Sequence, residues 1–82
     1  METMKADVQV NARGLLCPML VVKAKLALEE MKPGQVVKVL STDPGSLKDF
    51  TAWCQETGNR LLLARKEEKG LYAFFIQKAQ EV

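Results

Sequence analysis

The chain contains no histidine and only two cysteines, and these two are too far apart to form a Cys-x-x-Cys pair. The usual zinc-ligand spacings are therefore missing, and the sequence predicts no metal site. The absence of histidine also removes the Cys–His pair that activates many cysteine nucleophiles. Both absences argue against hydrolase-type catalysis. Only a helix end or nearby cations are left to activate a thiol.

Long apolar runs and a strong charge of either sign are also missing. No stretch approaches the roughly 20 apolar residues that span a membrane, and the first residues carry no apolar run that could act as a signal peptide. We therefore expect a cytoplasmic protein without a membrane partner. The formal net charge is only +2 and the Lys and Arg residues are scattered, so the charge does not favour direct nucleic-acid binding.

What is present is the composition of an ordinary globular protein, with 48% hydrophobic and 27% charged residues in 82. This length predicts one domain over residues 1–82. Apolar periodicity predicts its elements in chain order: a strand over 7–11, a helix over 18–31, a strand over 35–41, a helix over 46–57, and strands over 60–66 and 71–78.

The order β-α-β-α-β-β predicts an α/β fold, a two-layer sandwich with a four-stranded mixed sheet and both helices on one face. The two crossovers most simply give parallel neighbours, with the strand over 35–41 central. The last two strands should form an antiparallel hairpin around the polar turn 67–70.

Several side chains are expected in the core because of their spacing. Val8 and Val10 should face inward from the first strand. The first helix should bury Val21, Ala24, Leu28 and Met31, with Leu20 and Ala27 beside them; the second should bury Leu47, Phe50 and Cys54, flanked by Trp53. Ser46, three residues before Asp49, resembles a capping box.

The stretch from Arg13 to Leu20 places a thiol at the start of the first helix. Proline is favoured at the first helical position, which makes Pro18 that position and Cys17 the N-cap. Leu16 and Val21 then fit a hydrophobic staple. Unpaired N–H groups and the helix dipole favour the thiolate of Cys17. The alternative is that Cys17 is simply a small apolar residue that begins a helix.

The loops after the first two strands should leave the sheet at the same carboxyl edge, where ligands of open α/β sheets bind. Cys17 and residues 43–46 are therefore expected to be neighbours, with two helix N-termini aimed at one patch. An anionic sulfur would be favoured there. Asp43 would oppose it unless its carboxylate caps its own helix.

Three groups of residues resemble the small sulfur-carrier family of TusA or SirA-like proteins: Arg13-Gly14-Leu15-Leu16-Cys17-Pro18, Gly34, and Thr42-Asp43-Pro44. The resemblance runs over residues 7–78. It implies a two-layer α/β sandwich whose cysteine accepts sulfur as a persulfide and passes it along a relay. Cys17 would carry the sulfur and Pro18 would be its motif partner, with Arg13, Gly14 and Asp43 as supporting positions. The family motif is Cys-Pro-x-Pro, and this chain departs from it at Leu20.

The resemblance favours a sulfur carrier that needs no cofactor. A cysteine desulfurase or rhodanese-like protein would donate sulfur to Cys17, and an acceptor protein would take it onward. We expect a monomer, and the sequence leaves open whether Cys17 also gives sulfurtransferase activity. It also leaves open the pathway: tRNA thiolation, cofactor synthesis or sulfur oxidation. Arg13 and Lys23 are candidates for docking or anion stabilisation, although a solvated surface position is the favoured interpretation for Lys23.

Two other functions fit the same chain. The element order also resembles the RNA-contacting C-terminal domain of a translation initiation factor, which suggests a nucleic-acid-binding or regulatory module in which Tyr72 would stack on bases if it faced solvent. A thiol redox sensor would need the Cα atoms of Cys17 and Cys54 within about 7 Å. The sequence favours a structural role for Cys54, because buried cysteines are usually inert.

Overall fold

A computed structural model describes residues 6–15 and 19–79 of the chain. Its elements in order are β1 (Val8–Ala12), α1 (Met19–Glu29), β2 (Val36–Ser41), α2 (Ser46–Thr57), β3 (Arg60–Glu68) and β4 (Leu71–Gln77). The predicted order β-α-β-α-β-β and the bounds of α2 are confirmed. Within the described residues, neither helix is long and apolar enough to cross a membrane.

The four strands form one mixed sheet in the order β1-β2-β4-β3. β1 and β2 are parallel neighbours and β2 is central, as predicted, and β3 and β4 form the antiparallel hairpin. The second crossover differs from the prediction. β3 runs parallel to β2 but is not its neighbour. β4 lies between the two strands, because every residue of β2 pairs with β4. The hairpin thus leaves β3 at the edge.

One face of the sheet packs against both helices. A cross-strand row on this face joins Val10, Val39, Phe74 and Ala64. The rings of Phe50 in α2 and Phe74 in β4 have centroids 5.1 Å apart. The buried core consists of Val10, Ala12, Leu20, Ala24, Leu28, Met31, Val37, Val39, Phe50, Cys54, Phe74 and Ile76. Val8, predicted to face the core, is exposed near the start of the edge strand β1.

Neither α1 nor α2 covers the other face of the sheet, and yet Phe75 on it is buried. The ammonium of Lys38 lies 5.6 Å from the centre of the Phe75 ring, and the guanidinium carbon of Arg65 lies 5.5 Å from it. Such contacts combine apolar cover by the long side chains with cation–π attraction. Arg65 also pairs with Glu67, whose pKa is lowered by this hydrogen bond.

The buried stripe of α1 differs from the prediction. The fully buried residues are Leu20, Ala24 and Leu28, at a spacing of four, whereas Val21 is only partly buried. α1 also ends at Glu29, two residues before the predicted end. The N–H groups of Glu30 and Met31 donate to carbonyls three residues earlier, which tightens the last turn. Met31 still reaches the core.

α2 has the predicted bounds but a different first turn. Leu47, predicted to be buried, is 51% exposed, and Ser46 is buried in its place. The N-cap is Gly45, without a side-chain capping bond, so the capping box read from Ser46 and Asp49 is wrong. The Ser46 hydroxyl instead donates to the carbonyl of Asp43 at 2.6 Å. Gly58 ends the helix in the left-handed conformation.

Candidate functional site

The two loops at the carboxyl edge of β1 and β2 are joined by a hydrogen bond. The Gly14 N–H donates to Oγ1 of Thr42 at 2.9 Å. Parallel pairing places Ala12 beside Ser41 at the ends of the two strands, which brings the loops together. Gly14 has a φ of +83°, a left-handed conformation that favours glycine. The described part of the first loop therefore lies beside the second loop, as the element order predicted.

Arg13 lies exposed at the start of the first loop. Its backbone N–H and its Nε both donate to Oδ1 of Asn11, at 3.1 and 3.0 Å. The hydrogen bond donated by Nε holds the guanidinium of Arg13 near the end of β1. The remaining guanidinium N–H groups of Arg13 supply positive charge at this edge of the sheet.

Asp43 uses its carboxylate within its own loop. Its Oδ1 accepts the N–H of Gly45 at 2.9 Å, and its N–H donates to the Ser41 hydroxyl at 3.1 Å. This Asx turn leads into α2 in place of a side-chain N-cap. These two hydrogen bonds give Asp43 a role in forming its own loop.

Leu20, the position where the chain departs from the family motif, is a core residue with no exposed surface. Met19, immediately before it, is 56% exposed. Leu16, Cys17 and Pro18 lie outside the described residues, so the N-cap assignment and the staple with Val21 stay predictions. Cys17 stands in the sequence between Leu15, which ends the described first loop, and Met19, which begins α1.

Cys54 is buried on α2, facing the sheet. Burial raises the pKa of its thiol to about 11, so the neutral thiol is the stable form at neutral pH. A buried, protonated thiol is a poor nucleophile. These properties fit the predicted core role. Cys17 lies outside the described residues, so the short Cys17–Cys54 distance that a redox sensor requires stays a hypothesis.

Two of the cavities lined by the described residues open on the helical side of the molecule. The first, about 250 Å³, lies beside the start of α2 and is lined by residues that include Pro44, Leu47, Lys66 and Tyr72. The second, about 380 Å³, lies between the C-terminal halves of the helices, with Trp53 and Leu28 in its wall. Tyr72 is half-buried and packs against the core, so it is not the solvent-facing stacking residue that the nucleic-acid alternative requires.

Two features of the loops and of α1 are not among the predictions from the sequence. Thr42 enters the predictions only as part of the family motif, although its place directly after β2 is a signal that it can reach the first loop. The sequence predictions also do not include the exposure of Met19, Val22 and Leu26. Their spacing of three and four residues was visible in the sequence.

Comparison with known proteins relates this arrangement to a family. The sequence model of the family described as Sulfurtransferase TusA matches residues 8–78, which include both loops and all six elements. The chain belongs to the TusA family. The match begins at the first residue of β1 and ends just after β4, so the whole sandwich described above corresponds to the family's sequence pattern.

Relatives within the TusA family have names that refer to sulfur. The sulfur carrier protein TusA of Allochromatium vinosum is 47% identical over 73 residues, covering 89% of this chain and 95% of that protein. A putative sulfur carrier protein of Aquifex aeolicus is 42% identical over 81 residues, covering 99% of this chain but only 41% of that longer protein. These relatives support a sulfur-carrier role.

A solved structure supports the fold independently. The crystal structure of a SirA-like protein from Desulfitobacterium hafniense has a TM-score of 0.76 to this chain at 26% identity. The similarity covers 89% of this chain and 99% of the other. The predicted membership of the TusA or SirA-like family is therefore confirmed.

Proposed function

We propose that the protein is a sulfur carrier in which Cys17 holds sulfane sulfur as a persulfide and passes it to an acceptor protein. The observation that carries the proposal is the family match over residues 8–78, which includes Cys17. Cys54 is buried with its pKa raised to about 11, which leaves Cys17 as the better candidate for a reactive thiol.

The proposed transfer conserves atoms and electrons. The Cys17 thiolate attacks the outer sulfur of a persulfide on the donor, the S–S bond of the donor breaks, and the donor cysteine leaves as a thiolate. Cys17 then carries the persulfide. An acceptor thiolate attacks its outer sulfur in the same way and restores the Cys17 thiolate, so neither step requires a cofactor or a net oxidant.

The surroundings of the loop favour an anionic sulfur. Arg13 adds a cation at the same edge, and the first turn of α1 contains no acidic residue. The Asp43 carboxylate accepts a hydrogen bond from Gly45, which makes it a weaker source of repulsion than a free carboxylate would be. We assign Gly14 and Thr42 to positioning the loop and Arg13 to stabilising the anion or docking the donor. Pro18 is assigned to the start of the helix.

The partners follow from this chemistry. The donor is a cysteine desulfurase or a rhodanese-like protein, since both classes present a protein-bound persulfide, and the acceptor is a second protein with a reactive thiol. The protein acts in the cytoplasm, and the sulfur goes to tRNA thiolation, cofactor synthesis or sulfur oxidation. Transfer from the loaded carrier to an acceptor of each pathway would identify the route.

Intact-mass measurement tests the proposal directly. The wild-type chain, Cys17→Ser and Cys54→Ala are each incubated with a cysteine desulfurase and L-cysteine, and in parallel with inorganic polysulfide. We expect the mass of added sulfur, removable by a reducing agent, on the wild type and on Cys54→Ala but not on Cys17→Ser. Equal loading of Cys17→Ser and the wild type would disprove the carrier assignment of Cys17.

A further inference from the structure

The cavity of about 380 Å³ between the C-terminal halves of the helices lies far from the two joined loops. Leu28 of α1 and Trp53 of α2 line it, together with Lys78, which follows β4. The N–H of Lys78 donates to the carbonyl of Gln35, just before β2 begins. This contact places the cavity at the amino end of β2, whereas the joined loops lie at its carboxyl end. We call it the helix-end cavity.

The size and the apolar wall of the helix-end cavity suit a small organic molecule. Cavities that bind such ligands measure roughly 300–1,000 Å³ and combine an apolar wall with a few polar groups. Leu28 is buried and belongs to the core, and the Trp53 ring makes an edge contact with Phe50, with centroids 6.3 Å apart. The apolar wall is therefore held in place by the core and does not depend on a ligand for its position.

The uncharged polar side chains of the wall are bonded within the protein through their oxygen atoms. The Thr57 hydroxyl donates to the carbonyl of Trp53 and accepts an amide N–H of Asn59, both at 2.9 Å. The side-chain oxygen of Asn59 accepts the N–H of Ala79 at 2.7 Å. Asn59 keeps one amide N–H for a ligand. This part of the wall therefore favours a ligand that accepts hydrogen bonds.

Two lysines add further donors to the wall. The Lys78 ammonium donates to the carbonyl of Met31 at 2.5 Å, which holds it in place and leaves two of its N–H groups. Lys25 is exposed, and no carboxylate within residues 6–15 and 19–79 lies at ion-pair distance from it. Glu29 supplies one carboxylate to the same cavity. Two cations thus face one anion, so the charge of the wall favours a ligand with a single negative charge.

We propose that the helix-end cavity binds a small organic monocarboxylate with a flat apolar body. The body lies against Trp53 and Leu28, and the carboxylate accepts N–H groups of Lys25 and Lys78, because hydrogen bonds between charged groups are the strong ones. Glu29 repels a second negative charge on the ligand. This binding site does not depend on the sulfur-carrier function, and its test does not involve Cys17.

Fluorescence tests the proposal, because Trp53 is the only tryptophan of the chain and lines the cavity. The full chain is titrated with phenylpropionate, whose ring does not absorb the light that excites tryptophan, and calorimetry measures the same binding. The neutral phenylpropionamide and the dianion phenylsuccinate serve as comparison ligands. We expect phenylpropionate to shift the Trp53 emission with a Kd on the order of 1 mM, and the two comparison ligands to bind roughly tenfold more weakly.

Two variants change the charge of the wall and nearly keep the size of the side chain. Lys25→Met should weaken phenylpropionate binding roughly tenfold, since it removes a charged donor. Glu29→Gln should strengthen binding roughly threefold, because it removes the repulsion, and a gain in affinity cannot come from unfolding. Lys48→Met on α2 and Glu68→Gln at the end of β3 are the matched controls. Both positions are exposed and outside the wall, so the Kd should stay unchanged.

Several results would overturn the monocarboxylate site. One is the absence of both an emission change and heat of binding at about ten times the expected Kd. Others are equal binding of phenylpropionate and phenylpropionamide, or a Kd that neither Lys25→Met nor Glu29→Gln alters. L-Phenylalanine adds an ammonium to the same body, and tighter binding of it than of phenylpropionate would replace the monocarboxylate by an amino acid. Thermal unfolding confirms that each variant is folded.

Discussion

The backbone N–H of Gly14 donates a hydrogen bond of 2.9 Å to the hydroxyl of Thr42, 28 residues later in the chain. This bond joins the loop after β1 to the loop after β2. It connects the segment that leads to Cys17 with the segment that leads to α2. The position of Gly14, in the described part of the first loop, therefore depends on a residue from a different part of the sequence.

Replacing Thr42 by valine tests this connection. Valine keeps the size of the side chain but removes the acceptor, and the exposed Gly14 N–H then bonds to water. We expect the free energy of unfolding to fall by no more than about 1 kcal/mol and sulfur loading of Cys17 to slow. Thr42→Ser, which keeps a hydroxyl, is the control. Loading of Thr42→Val at the wild-type rate would show that the bond does not position the loop.

Gly14→Ala tests the backbone of the same loop. A Cβ at Gly14 would meet no atom within 4 Å, so the cost comes from its φ of +83°. We expect a loss on the order of 1 kcal/mol in the free energy of unfolding, measured by urea titration. Gly45→Ala is the matched control, because Gly45 has a φ of −87° and an added Cβ would lie 3.6 Å from Asp43 Oδ1, an ordinary contact. Equal losses at both glycines would contradict the explanation from backbone conformation.

Cys54→Ala should leave sulfur loading intact while lowering the free energy of unfolding by on the order of 1 kcal/mol, because it removes one buried heavy atom. Loss of transfer in a folded Cys54→Ala protein would instead make Cys54 a relay thiol. Intact-mass loading and urea titration on the same samples separate the two results.

The raised pKa of Cys54 also predicts a pH dependence. The pKa is about 11 in the folded protein against an ordinary value of 9.0, so the unfolded chain loses this proton first as pH rises. The stability that this thiol contributes is complete below pH 9 and is lost between pH 9 and about 11. The melting temperature of Cys17→Ser should therefore fall more steeply over this range than that of Cys17→Ser with Cys54→Ala. Parallel curves for the two proteins would refute the shift.

Arg13→Glu should slow transfer from a protein donor without unfolding the domain. Arg13 is exposed, and within the part of the chain that the structure describes it bonds only to Asn11, so the change acts on charge at the edge of the sheet where the two loops meet. The defect should shrink as salt rises. Arg60→Glu, at the other end of the sheet where β3 begins, is the control. An unchanged transfer rate at low salt would make Arg13 an ordinary surface residue.

Leu20→Pro restores the family motif and tests the predicted N-cap. If Cys17 is the N-cap, its sulfur accepts the N–H groups of Met19 and Leu20, and proline removes the second of these donors. We therefore expect a higher pKa of Cys17. The pKa is measured from the pH dependence of alkylation by iodoacetamide in the Cys54→Ala background.

The structure adds a cost to that substitution, because Leu20 is fully buried. Leu20→Ala is the packing control. It should lower the free energy of unfolding by roughly 2–5 kcal/mol while keeping the N–H and the pKa of Cys17. A pKa that is unchanged or lower in Leu20→Pro would refute the two-donor arrangement and would indicate that the second proline of the family serves partner recognition or loop rigidity.

Local pattern predicted much of the fold. The bounds of α2, the hairpin of β3 and β4 and the parallel pair of β1 and β2 could all be predicted, because periodicity, glycine and proline act within a few residues. The hairpin turn at Lys69–Gly70 is shorter than expected, since β3 continues to Glu68 through a register shift near Lys66. The insertion of β4 between β2 and β3 could not be predicted, because strand neighbours depend on contacts far apart in the chain.

The sequence by itself determined that the first helix carries apolar residues on more than one side. Only the tertiary structure decided which side is buried. Leu20, Ala24 and Leu28 face the sheet because the contacts of α1 with β1 and β2 set its rotation, whereas Met19, Val22 and Leu26 are left in solvent. Helical periodicity limits the faces that an apolar helix can bury, but the rotation about its axis is chosen by the surface on which it packs.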